Sequence, residues 1–169
     1  MEFWSLITLV GSPELWVAAM LVLLSWYGVF HKQLEPKLRA RMRFFVVVFA
    51  VGLMAVLATV FLLKVGLMVP RPCLPCPATG CNPYCPTEPG DYSFPSGHAA
   101  IIFAVLAAGL FGLKPRPRWW PALAAVALLV AASRVMLGVH TVPDIAAGAV
   151  IGFVLMFVTA RVVRRYITA

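Results

Sequence analysis

The sequence predicts an all-α integral membrane protein: a single domain over residues 1–169, built as a helical bundle of about five transmembrane helices, with an irregular Cys/Pro-rich extracytoplasmic loop. Three observations carry this expectation. The chain is 62% hydrophobic and 12% charged, about half the charge of a soluble domain, and its mean hydropathy is +0.93. Apolar runs of spanning length recur, separated by turns rich in proline, glycine or basic residues. The basic residues gather on alternate connections, as they do in proteins oriented by positive charge on the inner side.

Residues 1–10 are apolar but too short to span, and 1–12 are expected to lie in the interface. Met1 is followed by Glu2 rather than a basic segment, and no small-residue cleavage site follows, so the first helix is expected to be retained. Ser12-Pro13-Glu14 reads as a helix start, with Ser12 as N-cap, Pro13 in the first helical position and Glu14 in the first turn. The first span is then about 13–30, near the lower length limit for a bilayer. A polar stretch from His31 to Arg43 separates it from the second span, about 43–69, which ends at Pro70-Arg71-Pro72. Residues 70–95 hold eight of the fourteen prolines and all four cysteines, and read as an ordered irregular loop. Phe94-Pro95-Ser96-Gly97-His98 opens a third span, about 96–113. After a basic turn, Trp119 and Trp120 mark an aromatic belt and Pro121 suits a first helical turn. The fourth span runs to about 137 with Gly138 as its C′ residue, and the fifth covers about 143–164.

Five spans place the termini on opposite sides. One side receives Lys32, Lys37, Arg39, Arg41, Arg43, Lys114, Arg116, Arg118, Arg161, Arg164 and Arg165; the other receives only Lys64, Arg71 and Arg134. The expected topology has the N-terminus outside and the C-terminus cytoplasmic. The net charge of +8 invites a nucleic-acid reading, but topology and headgroup contacts account for the inner charges, and no nucleic acid is expected. His31 sits at the inner end of the first span as an interfacial residue.

The three outer cations break the charge rule, which makes them candidates for function. Lys64 lies inside Phe61-Leu62-Leu63-Lys64-Val65-Gly66, where a lysine must snorkel, pair with Asp144 or meet an anion. Arg71 is seven residues on, facing the same way if the helix held, with Pro70 bending the chain to bring it over the site. Arg134 arrives from the last turn of the fourth span. Three converging cations match a doubly charged phosphate. Ser96-Gly97 offers it a helix N-terminus, with Ser96 as cap or donor and Gly97 permitting close backbone approach; a plain N-cap beside a chance histidine is the competing reading. His140, oriented by Asp144, suits a nucleophile, and His98 a proton carrier. A merely salt-bridged interfacial histidine is the alternative for His140.

Lys64-x6-Arg71-Pro72, Pro95-Ser96-Gly97-His98 and Ser133-Arg134-x5-His140-x3-Asp144 resemble the three signature motifs of the type 2 phosphatidic acid phosphatase superfamily, which includes lipid phosphate phosphatases. The resemblance covers about 60–144. It implies a metal-independent phosphatase without cofactor: His140 as nucleophile, Asp144 as its partner, His98 as acid, and Lys64, Arg71, Ser96, Gly97 and Arg134 on the phosphate. Bacterial members are often described with six spans, one more than fits here.

Cys73, Cys76, Cys81 and Cys85 lie in the proline-rich outer loop, where two disulfides are expected ahead of a four-cysteine zinc site. Gly148-x3-Gly152 is a small-residue face that packs either inside the bundle or between subunits. The expected activity is hydrolysis of a lipid phosphate or diphosphate at the outer face of the cell membrane through a phosphohistidine. Polyprenyl diphosphate is favoured, then phosphatidylglycerol phosphate or phosphatidic acid. The alternatives are a soluble phosphate ester, as for the glucose-6-phosphatase relatives, or a non-catalytic phospholipid-binding or scramblase-like protein. The expected partners are the bilayer and the lipid substrate; the sequence leaves oligomeric state open.

Overall fold

The computed structural model describes residues 2–74, 82–85, 91–113 and 117–167. Six α-helices follow in order: α1 (Glu2–Leu9), α2 (Pro13–Phe30), α3 (Pro36–Leu67), α4 (Gly97–Ala108), α5 (Trp120–Met136) and α6 (Val142–Ile167). A π-helical turn, Gly109–Leu113, prolongs α4. Four helical segments are long and apolar enough to cross a membrane, and Gly97–Leu113 forms a shorter apolar helix. The chain is therefore an all-helical integral membrane protein.

Capping chemistry sets the boundaries. Ser12 accepts from the Leu15 N–H at 3.4 Å at the start of α2, ahead of Pro13 and Glu14. The second span starts at Pro36, seven residues before the expected 43. Pro36 suits a first turn, and Lys37-Leu38-Arg39-Ala40-Arg41 are strong helix formers whose charge does not interrupt a helix beyond the hydrocarbon. Arg39 folds back instead, donating to the carbonyls of Lys32 and Leu34 at 2.8 and 3.0 Å, which fixes the α2–α3 turn. The 32 residues of α3 reach about 48 Å, longer than the hydrocarbon core, so its basic first turns extend beyond the apolar layer.

α4 is the centre of the bundle. Ala99, Ala100, Ile101, Ile102, Ala104, Ala107 and Ala108 are all buried, and α3, α5 and α6 pack around it. Helices in a membrane associate through close packing rather than through hydrophobic exclusion, so small residues decide which pairs meet. A methyl at Gly148 would collide with the Ser96 carbonyl oxygen, and one at Gly152 with the Ala100 carbonyl oxygen. The glycine face of α6 therefore packs inside the bundle against α4, which resolves the choice that the sequence left open. Gly152→Ala is expected to destabilise the fold by about 2–3 kcal/mol, because backbone cannot yield as a side chain does. Thermal unfolding in detergent checks this against Gly28→Ala, where an added methyl meets nothing within 4 Å.

Outside the bundle, Cys73 and Cys85 form a disulfide. Their sulfurs are thus not thiolates available to zinc, and the four-cysteine zinc alternative falls for this state. Cys76 and Cys81 lie outside the described residues. The Asn82 side-chain amide donates to the Leu137 carbonyl at 2.7 Å, tying the loop to the α5–α6 hairpin.

Candidate active site

The C-terminus of α3, the N-terminus of α4 and the α5–α6 hairpin meet at one end of the bundle. α3 stops at Leu67 because Met68 adopts the left-handed conformation (φ 49°), with its N–H donating to the Lys64 carbonyl at 3.0 Å. The chain thus turns two residues earlier than the bend expected at Pro70. Beyond that turn the Ser93 N–H donates to the Val69 carbonyl at 2.8 Å, laying the 91–95 segment, with its cis Phe94–Pro95 bond, beside Arg71.

The hairpin is built by a Schellman motif. Gly138 (φ +69°) donates to the Val135 carbonyl at 2.8 Å and Val139 to the Arg134 carbonyl at 3.2 Å. The reversal buries Val139 and directs both its carbonyl and the His140 ring inward. Arg71 is the hub: its Nη1 donates to Val139 O at 3.0 Å and to His140 Nε2 at 3.1 Å, its Nε to Asp91 O at 3.2 Å, and its Nη2 to Asp91 Oδ1 at 2.6 Å. Lys64 donates to the Tyr92 carbonyl, and its Nζ lies 3.6 Å from Asp91 Oδ1. The ion partner of Lys64 is thus Asp91, not the Asp144 considered from sequence.

A guanidinium only donates, so His140 Nε2 must accept, and Nδ1 carries the ring proton in the neutral imidazole. Nδ1 lies 3.4 Å from Ser93 Oγ and 3.6 Å from Asp144 Oδ2. The second distance is an ion-pair separation rather than a hydrogen bond. Ser93 bridges it, donating to Asp144 Oδ2 at 2.5 Å, and the same oxygen accepts from the Thr141 N–H at 2.8 Å. Burial first, then the charges of Arg71, Arg134 and Lys64, push the His140 imidazole down to about 3 against the opposing pull of Asp144. The ring is therefore neutral at physiological pH, with a lone pair on Nε2.

Other expected residues stand around this centre. Ser96 caps α4, accepting from the Ala99 N–H at 3.5 Å, and its own N–H donates to the Asp144 carbonyl at 3.0 Å, which locks α4 to α6. A methyl at Gly97 would meet only Val60, at 3.8 Å, so the protein leaves that approach open. His98 is in the first turn of α4, where its backbone lies alongside Gly11. Arg134 does not join the Lys64–Arg71–Asp91 cluster by direct contact. Its Nη1 donates to Thr8 Oγ1 of α1 at 2.7 Å, and its buried Nε has no partner. Among the described residues no three of His, Cys, Asp and Glu form a metal-binding group.

Asp91 and Ser93 were not singled out by sequence. Both lie just upstream of Pro95-Ser96-Gly97-His98, and the only sequence signal is an acid among the outer cations. Burial alone would raise the Asp91 carboxyl, but the Arg71 hydrogen bond and the two cationic charges outweigh it and hold it below the usual carboxylate range.

Fold and site together define a helical membrane protein with a buried histidine–carboxylate pair beside a cluster of cations. Residues 45–167 match the PAP2 superfamily, and the chain belongs to that family. The undecaprenyl-diphosphatase of Sulfolobus acidocaldarius is 37% identical over 76 residues, 44% of this chain. The match spans about a third (35%) of that relative's length. Among solved structures, the transmembrane PAP2-type phosphatidylglycerolphosphate phosphatase of Bacillus subtilis superposes with a TM-score of 0.65 at 22% identity, over 98% of this chain and 76% of that one. Aquifex aeolicus LpxE superposes with a TM-score of 0.64 at 20% identity, over 94% and 84% of the two chains.

Proposed function

We propose that the protein is a phosphatase that removes phosphate from a lipid phosphate or diphosphate by way of a phosphohistidine, without a metal. The observation that carries this reading is the Arg71 fork: one amino group lies 3.1 Å from His140 Nε2 while the other holds an anionic oxygen at 2.6 Å. An anion bound by Arg71 and Lys64 is thereby brought to an unprotonated imidazole nitrogen. As the phosphate takes over Arg71 Nη1, His140 Nε2 gives up that hydrogen bond and attacks phosphorus, and the phosphorus–oxygen bond to the leaving group breaks. His98 gives its proton to the departing oxygen, then takes one from water as that water attacks the phosphohistidine and releases phosphate. Asp144, with Ser93, holds Nδ1–H and stabilises the ring as it gains positive charge. Arg134, the Gly97 N–H at the start of α4, the Ser96 hydroxyl and the two other cations stabilise the phosphoryl oxygens.

A lipid is favoured over a soluble ester by the surroundings of Lys64. An otherwise apolar cleft of about 200 Å³ lies between Lys64 and Gly97, lined by Pro13, Leu57, Val60, Phe61 and Ile101. Hydrocarbon can thus lie directly against the phosphate site. Polyprenyl diphosphate is the first choice, supported by the relative named for that activity. Phosphatidylglycerol phosphate, named for one structural neighbour, comes next, then phosphatidic acid. The charge distribution supports an extracytoplasmic site in the cell membrane, with the N-terminus outside. A binding-only or scramblase-like role would need the cations but not the histidine–carboxylate pair.

The test is phosphate release by purified protein in detergent with chelator present, from polyprenyl diphosphate, phosphatidylglycerol phosphate, phosphatidic acid and glucose 6-phosphate. Release from the lipids in excess of the sugar phosphate is expected. No release from any of the four would overturn the hydrolase reading, and loss of release with chelator would overturn its independence of metal.

A further inference from the structure

Asp91 belongs to none of the motif positions, yet it stands where the two cations of the first motif meet. Its Oδ1 accepts from Arg71 Nη2 at 2.6 Å and lies 3.6 Å from Lys64 Nζ. The other oxygens on these cations are the backbone carbonyls of Asp91, Tyr92 and Val139. Those carbonyls are neutral, so they aim Lys64 and Arg71 without cancelling their charge. Among the described residues, Asp91 is the carboxylate that forms ion pairs with both of them. The exposures are unequal: the Arg71 side chain is 5% exposed, the Asp91 side chain 33%. The carboxylate can turn toward water at small solvation cost, whereas the guanidinium, bonded on three sides, stays in place. A carboxylate and a phosphate both offer an arginine fork anionic oxygens in the same hydrogen-bonding geometry. Oδ1 therefore marks the place of a phosphate oxygen, on the amino group next to the one that faces His140.

We propose that Asp91 is an internal stand-in for the substrate's phosphate, occupying the Lys64–Arg71 subsite until a doubly charged terminal phosphate displaces it. The identity of the displacing anion rests on the phosphatase reading above. The consequence is selectivity. A bilayer is full of phosphodiester headgroups with one negative charge, and an open cluster of cations would fill with them. With Asp91 in place, an incoming group must interact with the cations better than a carboxylate does. A terminal phosphate monoester or diphosphate meets that condition, and a diester does not.

The competing role for Asp91 is positioning, as a clamp that holds Arg71 in line, and the two roles predict opposite signs. Binding of inorganic phosphate to the full-length protein in detergent, measured by calorimetry, needs no turnover. Removing a competing occupant raises apparent affinity by the reciprocal of the fraction of time the site had stood free. Asp91→Asn is expected to tighten phosphate binding by about tenfold or more. It is also expected to make short-chain phosphatidylglycerol, a phosphodiester, a competitor for phosphate, which it is not for the unmodified protein. Weaker or unchanged phosphate binding, or continued exclusion of the diester, overturns the proposal. Should Asp91→Asn fail to fold, a phosphate-bound structure of the unmodified protein decides: the Asp91 carboxylate is expected off Arg71 Nη2 with a phosphate oxygen in its place, and the carboxylate remaining there overturns the proposal. If phosphate binding tightens while no lipid in the panel is hydrolysed, the hydrolase reading fails and the anion stand-in survives.

Discussion

Replacing His140 with alanine is expected to lower kcat by on the order of 10⁴ or more, while phosphate still binds. The ring supplies the only unprotonated nitrogen beside the anion-holding face of Arg71 among the described residues, at 3.1 Å from Nη1. Burial and the surrounding cations keep it neutral, pushed down to about 3, so the lone pair is present across the physiological range. The Ser93 hydroxyl is spent on Asp144 and the Asp91 carboxylate on Arg71, and the cations that remain stabilise charge without supplying a nucleophile. Single-turnover phosphate release measures the loss. In the unmodified protein, quenching at alkaline pH is expected to trap phosphate on His140. A turnover rate within tenfold of the unmodified protein, or phosphate trapped on a different residue, would overturn the assignment.

Arg71→Ala is expected to lower kcat/KM by about 10²–10³, the range for loss of one preorganised donor to a developing oxyanion, and Arg71→Lys to recover little of it. The guanidinium serves Val139 O, His140 Nε2, the Asp91 backbone carbonyl and Asp91 Oδ1 at once, from three nitrogens in one plane. An ammonium group has the charge but not the fork. Thermal unfolding of both variants separates the chemical effect from loss of the fold. Near-normal kcat/KM in Arg71→Lys would show that charge alone suffices there.

Much of this site was legible because membrane sequences expose their exceptions. A buried charge is costly in hydrocarbon, so Lys64, Arg134 and Asp144 stood out against long apolar runs. The spacing of His140 and Asp144 across Pro143 placed them on adjacent turns, and they do face one another, at 3.6 Å. The ends of α2, α4 and α5 were readable from Ser12-Pro13, Ser96-Gly97 and Gly138, since capping depends on a few consecutive residues. The start of α3 was misplaced because charge was taken as a break, although lysine and arginine are good helix formers.

Asp91, Ser93 and Thr8 were not legible in this way. Each acts through a partner distant in sequence: Asp91 on Arg71, Ser93 on Asp144, Thr8 on Arg134. No local pattern encodes such pairs, because a hydrogen bond between distant residues depends on how the helices are stacked.

The sequence by itself determined the helical membrane class and the family motifs, and it singled out the candidate cations and histidines, because solvation cost and capping act residue by residue. Only the tertiary structure decided that Lys64 pairs with Asp91, that Ser93 stands between His140 and Asp144, and that the Gly148–Gly152 face is internal. The last follows from α4 packing backbone-close against α6, and the first two from the 91–93 segment lying between the end of α3 and the start of α6.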